Sequence, residues 1–403
     1  MSLPTIERHT EVPSASFVVS AHRGGGEIVD QLADEWRELC NEAVDDQPFY
    51  RPEWIRAYFR FFASRAKVVL IAARLGGRLK LMLPLIEEIG TFSKMPVRKL
   101  RAPVNSCAGR FDAIYSAGPE GEAAIQATWK FLKELEGWDI LQLRDVLHGG
   151  AISRMAAEAR ADGLSTIQLD DKPSPYVRVP ADAELRKQLP VNARLRRQLR
   201  QIRREIAERG LSLKFHRVET ADPNALERFY QLEASGWKGQ EGTAILLYGR
   251  RPFLDEVAES AARCGYFTLY LLELDGQLIA GHYGFTHRTC YYSVVVAYNE
   301  SFKEFSPGHL LIDEIVCDCA ARGIRGYQTT GQNQEWKMKW ATEVQPLSHH
   351  FVFRGRLGNL AYAVESRLKP AVARLLPGRK ESHSALGVAV AEGSKTSTTP
   401  NIV

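Results

Sequence analysis

Cysteine is sparse in this chain, and what there is stands scattered: Cys40, Cys107, Cys264, Cys290, Cys317 and Cys319. Cys317-Asp318-Cys319 has no second pair at zinc-ligand spacing. A disulfide scaffold and a zinc ribbon are therefore excluded, and the thiols read as reduced and structural, with a reactive or metal role for the 317/319 pair as the lesser alternative. No apolar run reaches transmembrane length. Residues 1–25 are polar, run into Ala21-His22-Arg23-Gly24-Gly25-Gly26 and lack an apolar signal core, so the expectation is a cytoplasmic protein. There is no Gly-x-Ser-x-Gly elbow and no Gly-Lys-Ser/Thr loop, which removes the serine-hydrolase and P-loop readings. Charge of one sign is lacking too. With 53 basic against 48 acidic residues, the net charge of +5 is compatible with an anionic ligand or membrane surface and does not call for nucleic acid.

What is present is a globular composition, 45% hydrophobic and 25% charged, over 403 residues, a length that suggests two domains. Ile28, Leu32, Trp36 and Leu39 form one helical face, and Trp54, Tyr58, Phe59 and Phe62 a second. The aromatic face reads as core, with a wall for an apolar substrate as the alternative. Strands at 68–74 and 79–86 flank Gly76-Gly77, a hairpin turn. Short strands at 97–101 and 111–115, a helix at 123–135, a strand at 138–143, a helix at 153–161 and strands at 165–169 and 176–179 complete the first half. The second half repeats this plan: strands at 266–274 and 278–285 meet across Asp275-Gly276. A tandem repeat of one α/β unit is expected.

Between the halves, Arg194, Arg196, Arg197, Arg200, Arg203, Arg204 and Arg209 share a helix with a buried stripe of Leu195, Leu199, Ile202 and Ile206, and Asn192 is placed to cap it. A solvated face that joins the domains is one reading. Contact with anionic lipid headgroups or a phosphate of coenzyme A is the other. No aromatic platform or nucleic-acid motif accompanies the arginines.

The stretch 291–340 carries the strongest signal. A β-rich run from Tyr291 to Val296 passes through a polar loop to Ser306-Pro307-Gly308. A helix with Leu310, Leu311, Ile315, Val316 and Cys319 on helical spacing follows, and Gly323 ends it. Residues 324–330 read as another strand before Gly331 and Trp336-Lys337-Met338-Lys339-Trp340. The Ser306 hydroxyl is suited to cap, Pro307 fits the first turn, and Gly308 lets a ligand approach the backbone, so this helix start is a candidate pyrophosphate site.

On Ser306-Pro307-Gly308, the following helix and strand, and Lys337 with Trp340, the chain resembles the acyl-CoA half of GNAT-type acyltransferases. More narrowly it is similar to the CelD-like cellulose or exopolysaccharide biosynthesis acetyltransferases, relatives of the FemAB peptidyl transferases. Trp336 stands where that family usually has Tyr, and of the fuller glycine-rich pyrophosphate loop Gly308 alone is kept. The resemblance covers residues 25–355. It implies an α/β fold of tandem GNAT-like units, each a mostly antiparallel central sheet flanked by helices. The expected division is a polar N-terminal segment (1–25), a first unit (26–182), a basic linking helix (183–210), a second unit with the acyl-CoA site (211–376) and a disordered tail (377–403). It also implies an acyl-CoA co-substrate with no tightly bound cofactor and no metal.

Amine acylation needs a thioester held in place, its carbonyl polarised, and a proton taken from the ammonium. The candidate bases are His282 in Ala280-Gly281-His282-Tyr283 and Glu233 on the helix before Trp237. A half-buried hydrogen-bonded histidine and a capping or salt-bridging glutamate are their structural alternatives. Tyr298, at a strand end, is the candidate acid for the leaving thiolate, or a packing residue. Lys337 enters by resemblance as a group that polarises a carbonyl or neutralises phosphate, against a surface lysine. Ser306, Gly308, His309 and Leu310 are the expected cofactor contacts; Trp237, Lys238 and Trp336 are expected to shape the acceptor pocket. The reading is an acyl-CoA-dependent N-acyltransferase for an envelope amine, either an amino sugar or a long-chain sphingoid-type amine, peripheral to the inner face of a membrane through residues 194–209. A catalytically degenerate partner protein of the same fold is the alternative, and aminoacyl-tRNA is another donor weighed against acyl-CoA.

Overall fold

The computed structural model describes residues 5–12, 15–105, 107–181, 191, 193–236, 245–246, 250–331 and 334–368. The expected tail at 377–403, the Asn192 cap and the Trp237-Lys238 pocket residues lie outside these. Among the described residues a single 14-stranded sheet spans the molecule. Its strands are β1 Ile6–Val12, β2 Ala15–Gly24, β3 Lys67–Leu75, β4 Arg78–Phe92, β5 Met95–Arg101, β6 Ile114–Tyr115 and β7 Ile140–Leu147. They continue with β8 Ser165–Arg178, β9 Leu213–Val218, β10 Phe267–Leu274, β11 Gln277–His287, β12 Cys290–Tyr298, β13 Gly326–Gln328 and β14 Glu343–Phe353. The helices are α1 Ala33–Glu42, α2 Pro52–Phe61, α3 Pro119–Glu134, α4 Ala151–Ala161, α5 Ala193–Glu208, α6 Pro223–Ser235, α7 Arg251–Arg263, α8 Pro307–Ala321 and α9 Gly355–Ala363.

The strand order is β1-β2-β3-β4-β5-β7-β14-β8-β13-β12-β11-β10-β9, with β6 beside β4. The pairs β5–β7 and β12–β13 are parallel; the other pairs are antiparallel. The α/β architecture is thus two copies of one plan set head to head. The two hairpins show the repeat most directly. Gly76 and Gly77 have φ of 57° and 80°, and Asp275 and Gly276 have 49° and 78°. Both central residues are left-handed, the conformation whose twist suits a two-residue hairpin. Each hairpin also shifts register at the same distance from its turn, between Ala73 and Arg74 and between Leu272 and Glu273.

Alternation along the strands splits the core into layers. Val68, Leu70 and Ala72 face one side with Leu269 and Leu271, under α1, α2, α6 and α7. Val69, Ile71 and Ala73 face the other side, under α3 and α4; Tyr270 and Leu272 do so under α5 and α8. The aromatic face of α2 belongs to the shared layer. Trp54 packs edge-on against Phe253 and Phe285, with ring centroids 5.0 and 6.0 Å away, so it welds the two halves and walls no substrate. Leu195, Leu199, Ile202 and Ile206 are buried as their spacing predicts.

Three expectations change. Ile6–Val12 and Ala15–Gly24 are more than a polar segment: they form β1, the edge strand, with Glu7, Arg8, His9 and Glu11 exposed, and β2 between it and β3, with Phe17, Val19 and Ala21 buried. The strands expected at 165–169 and 176–179 are one strand, β8; Pro173 and Pro175 read as breakers but sit beside a register shift in the β8–β14 ladder, where proline is tolerated. The division at 182 does not separate the sheet either. β8 lies between β14 and β13, and β14 lies between β7 and β8. Each half therefore completes its sheet with a strand from the other half's end of the chain.

Candidate active site

The parallel pairing of β12 with β13 covers Cys290–Tyr292 against Gly326–Gln328 and stops there. Beyond Tyr292, β12 continues to Tyr298 while the other chain turns away, and the strands part. A cleft of about 480 Å³ occupies the opening. Ser293, Val294, Val296 and Tyr298 line it from β12, Ser306, Gly308 and His309 from the start of α8, and Thr330, Trp336 and Lys337 from the segment after β13. His282 and Glu233 reach it from β11 and α6.

The helix start differs from the expectation in its capping. Ser306 is left-handed, at φ 47°, and its hydroxyl makes no cap bond; it accepts from Gln198 Nε2 of α5 at 3.2 Å. Its carbonyl accepts the N–H groups of His309 and Leu310 at 3.0 and 3.1 Å. Pro307 has no N–H, so Gly308 holds the first-turn N–H that these local bonds do not use. Leu310 is fully buried in the core under α8, which removes it from the expected cofactor contacts. His309 is held by Trp340, whose indole Nε1 donates to its Nδ1 at 2.9 Å. Burial, and then Lys339, push the His309 pKa down. The ring is neutral with its proton on Nε2, and that N–H is a donor for an anion.

Lys337 is buried, at 8% exposure, and is no surface lysine. Its Nζ donates to the Thr330 carbonyl at 2.6 Å and lies 5.4 Å from the centre of the Trp336 ring. Thr330 is itself left-handed, at φ 41°, and its hydroxyl donates to the Ser293 carbonyl. Lys337 and Thr330 thus hold the two lips of the cleft in register.

His282 is 2% exposed. Ser293 Oγ and Tyr327 OH each lie 3.3 Å from its Nδ1. Burial raises the Tyr327 pKa, so the phenol keeps its proton. When Nδ1–H donates to either hydroxyl, the proton-accepting lone pair of the neutral ring is the one on Nε2. A register shift between Tyr283 and Gly284 leaves Val294 as the extra residue of β12. Such a bulge re-aims its neighbours, here Ser293 toward His282. Glu233 is 3% exposed, and its Oε2 accepts the Ile245 N–H at 2.9 Å. It is a backbone-holding residue as well as a cleft residue. Tyr298, 40% exposed, stands at the mouth. The sequence reading missed Ser293, Tyr327 and Thr330; the isolated serine within Tyr291-Tyr292-Ser293-Val294-Val295 is the signal it had.

At the corresponding helix start of the first half the backbone is closely packed. Gly118 and Pro119 do start α3, but a Cβ at Gly121 would lie 1.8 Å from the Ser116 carbonyl oxygen. Glu120 and Glu122 fill the first turn and pair with Lys80 and Arg154. At the seam, Asp145, Asp171 and His349 bring ligand-type atoms within 4.8 Å of one another. His349 Nδ1 accepts the Asp145 N–H at 3.1 Å, so in the neutral ring Nε2 carries the proton and offers no lone pair to a metal. All six cysteines are thiols, not disulfides.

Residues 193–338, which hold the parting strand pair and the helix start beside it, match the family described as acetyltransferase (GNAT) domain. No curated protein matches the sequence. Among solved structures, FemX is similar at 11% identity and a TM-score of 0.54, covering 85% of this chain and 98% of its own. The C-terminal domain of a protein assigned as a lysylphosphatidylglycerol synthetase from Agrobacterium fabrum is similar at 12% identity and 0.52, covering 86% and 96%. These two likenesses concern the fold.

Proposed function

We propose that this chain is an acyl-CoA-dependent N-acyltransferase for an amine of the cell envelope. The observation that carries the reading is the cleft itself: an anion-suited helix start at one end, and two buried proton acceptors, His282 and Glu233, along its length. Gly308 receives the pyrophosphate, His309 assists from Nε2, and the pantetheine arm follows the unpaired edge of β12. His282 or Glu233 takes the proton from the amine, Lys337 supplies positive charge near the reacting carbonyl, and Tyr298 is placed to protonate the departing thiolate. Trp336 shapes the acceptor side. Titration calorimetry with acetyl-CoA and a long-chain acyl-CoA tests the reading; absence of heat with both, in folded protein, overturns it. That result would favour a catalytically degenerate partner of the same fold, a reading supported by the single unspent N–H at Gly308.

Gly308→Val sharpens the test. A Cβ there meets nothing within 4 Å, so the fold is kept while the valine occupies the phosphate approach. Acyl-CoA affinity is expected to fall by at least about tenfold, 1.4 kcal/mol, with an unchanged melting temperature. Unaltered affinity would move the pyrophosphate elsewhere.

The acceptor class follows from the CelD-like resemblance and from α5. An amino sugar of an envelope polysaccharide and a long-chain sphingoid-type amine both fit a mixed polar and apolar cleft. Arg194, Arg197, Arg200 and Arg204 are exposed along α5, and Gln198 ties that helix to the cleft mouth at Ser306. An anionic membrane surface is the partner proposed for them. Each near-surface arginine contributes about 1 kcal/mol at low salt, and ionic strength erodes it. The expected result is flotation with vesicles containing phosphatidylglycerol at low salt, lost at high salt and absent with neutral lipid. Comparing lipids and polysaccharides of cells with and without the gene then separates the two acceptors.

A further inference from the structure

Among the described residues, the lining of the cleft comes from the second half of the chain with one exception. Cys107, from the loop between β5 and β6, also lines it. That loop is firmly set. Asn105 Oδ1 accepts the N–H groups of Cys107 and Ala108 at 2.9 and 3.1 Å. Gly109, at φ 58°, packs so close to Gly331 that a Cβ on it would lie 2.9 Å from the Gly331 nitrogen. Arg110 Nη2 donates to Ser174 Oγ at 3.4 Å and to Gln345 Oε1 at 2.5 Å, on β8 and β14. The Phe111 N–H bonds the Asp145 carbonyl at 2.9 Å. Cys107 itself is 7% exposed and joins the buried layer that both halves share.

The chain's direction gives this position a meaning. β12 runs from the crotch of the cleft, at Tyr292, out to Tyr298, and α8 begins just after its outer end. A cofactor anchored at Gly308 therefore extends inward along β12 toward Ser293 and His282, and its acyl group comes last. Cys107 stands toward the crotch: it lines the cleft, shares a buried layer with Tyr292, and lies two residues before Gly109, which packs against Gly331 just after β13. We infer that residues 107–113 are lent by the first half to close the acyl end of the second half's cleft, and that Cys107 sets the length of acyl chain admitted. The inference rests on the acyl-CoA reading above and adds the group that selects among donors. It also gives the first half a part in the reaction as a selectivity wall.

The test is a binding series with acetyl-, octanoyl- and palmitoyl-CoA on the full chain. Cys107→Trp is expected to weaken the longest chain that wild type binds by about tenfold or more, the scale of a few misplaced methylenes in an apolar pocket, while acetyl-CoA binding changes less than about twofold. Cys107→Ala is expected to shift preference toward longer chains. A uniform change across the series, or none, overturns the inference. Thiol modification of wild type, as a methyl mixed disulfide with methanesulfinate leaving, gives a second readout that needs no variant. Bound long-chain acyl-CoA is expected to protect Cys107 from methyl methanethiosulfonate more than free coenzyme A does, with exposed Cys264 as the unprotected reference. Equal protection by the two ligands overturns it. Failure of every acyl-CoA to bind wild type would instead remove the underlying reading.

Discussion

Replacing His282 by alanine is expected to lower turnover by roughly 10²–10⁴-fold while leaving acyl-CoA binding intact. An ammonium cannot attack a thioester, and His282 is a buried imidazole in the cleft whose Nδ1 is fixed by two hydroxyls. The deficit should shrink as assay pH rises, because solvent then removes the amine's proton. Tyr327→Phe and Ser293→Ala act through His282 as positioning changes. Each is expected to alter the pH profile and lower kcat more than it alters KM, since the other hydroxyl still holds the ring. Glu233→Gln is the companion experiment. It keeps an acceptor for the Ile245 N–H, so a large loss of activity in folded protein would assign the base to Glu233. Full activity in both variants, on an identified acceptor, would mean that neither residue is the base.

Removing Asp46 is expected to have the largest effect on stability. Its carboxylate is buried where the two halves meet. Arg51 Nε and Nη2 donate to its two oxygens at 3.0 and 2.8 Å, His287 Nε2 lies 2.6 Å from Oδ2, and Arg288 Nε lies 3.3 Å from it. The side chains of Asp46 and Arg51 are 1% and 9% exposed. Asp46→Ala leaves the Arg51 guanidinium buried without its counter-ion, which costs about 3–5 kcal/mol, to be read from urea unfolding at neutral pH. Burial alone would raise the Asp46 pKa; the bonds from His287 and Arg51 outweigh it and hold the carboxyl below its ordinary value. For a depressed carboxylate the stabilisation is in place above the unfolded pKa of about 4 and is lost as pH falls through the folded pKa. Wild type should lose stability steeply in that acid range, and the variant should show a flatter limb. Matching acid limbs would show that another carboxylate governs acid unfolding.

The hairpins, the buried stripe of α5 and the helix after Ser306-Pro307-Gly308 were legible in the sequence, because each rests on local periodicity or on a residue pair with one favoured turn. The candidate site was legible in outline for the same reason: Gly308, His282 and Lys337 lie on recognisable local elements. What lay outside local pattern was not. The Ser306 hydroxyl does not cap, because a preceding 3₁₀ turn at Glu300–Phe305 delivers the residue in a left-handed conformation. Leu310 turns to the core because helical spacing places it under the sheet. Ser293 reaches His282 through a bulge that alternation does not reveal. β1 escaped because an edge strand with most of its residues exposed looks like a polar linker, and its partner β2 escaped with it. The exchange of β8 and β14 is a non-local pairing to which no window of sequence points.

That exchange has a consequence for how the protein is made. When β8 leaves the ribosome, neither of its eventual neighbours, β13 and β14, has been synthesised, and the inner edge of β7 is likewise bare until β14 emerges. The nascent first half therefore carries an unpaired strand and an open sheet edge for nearly half of translation, the kind of surface that joins foreign strands. Folding of both halves closes together, at the last strand, and fragments cut at the apparent midpoint are expected to be insoluble. Two copies of one plan that trade strands in this way make a chain that does not divide at its midpoint.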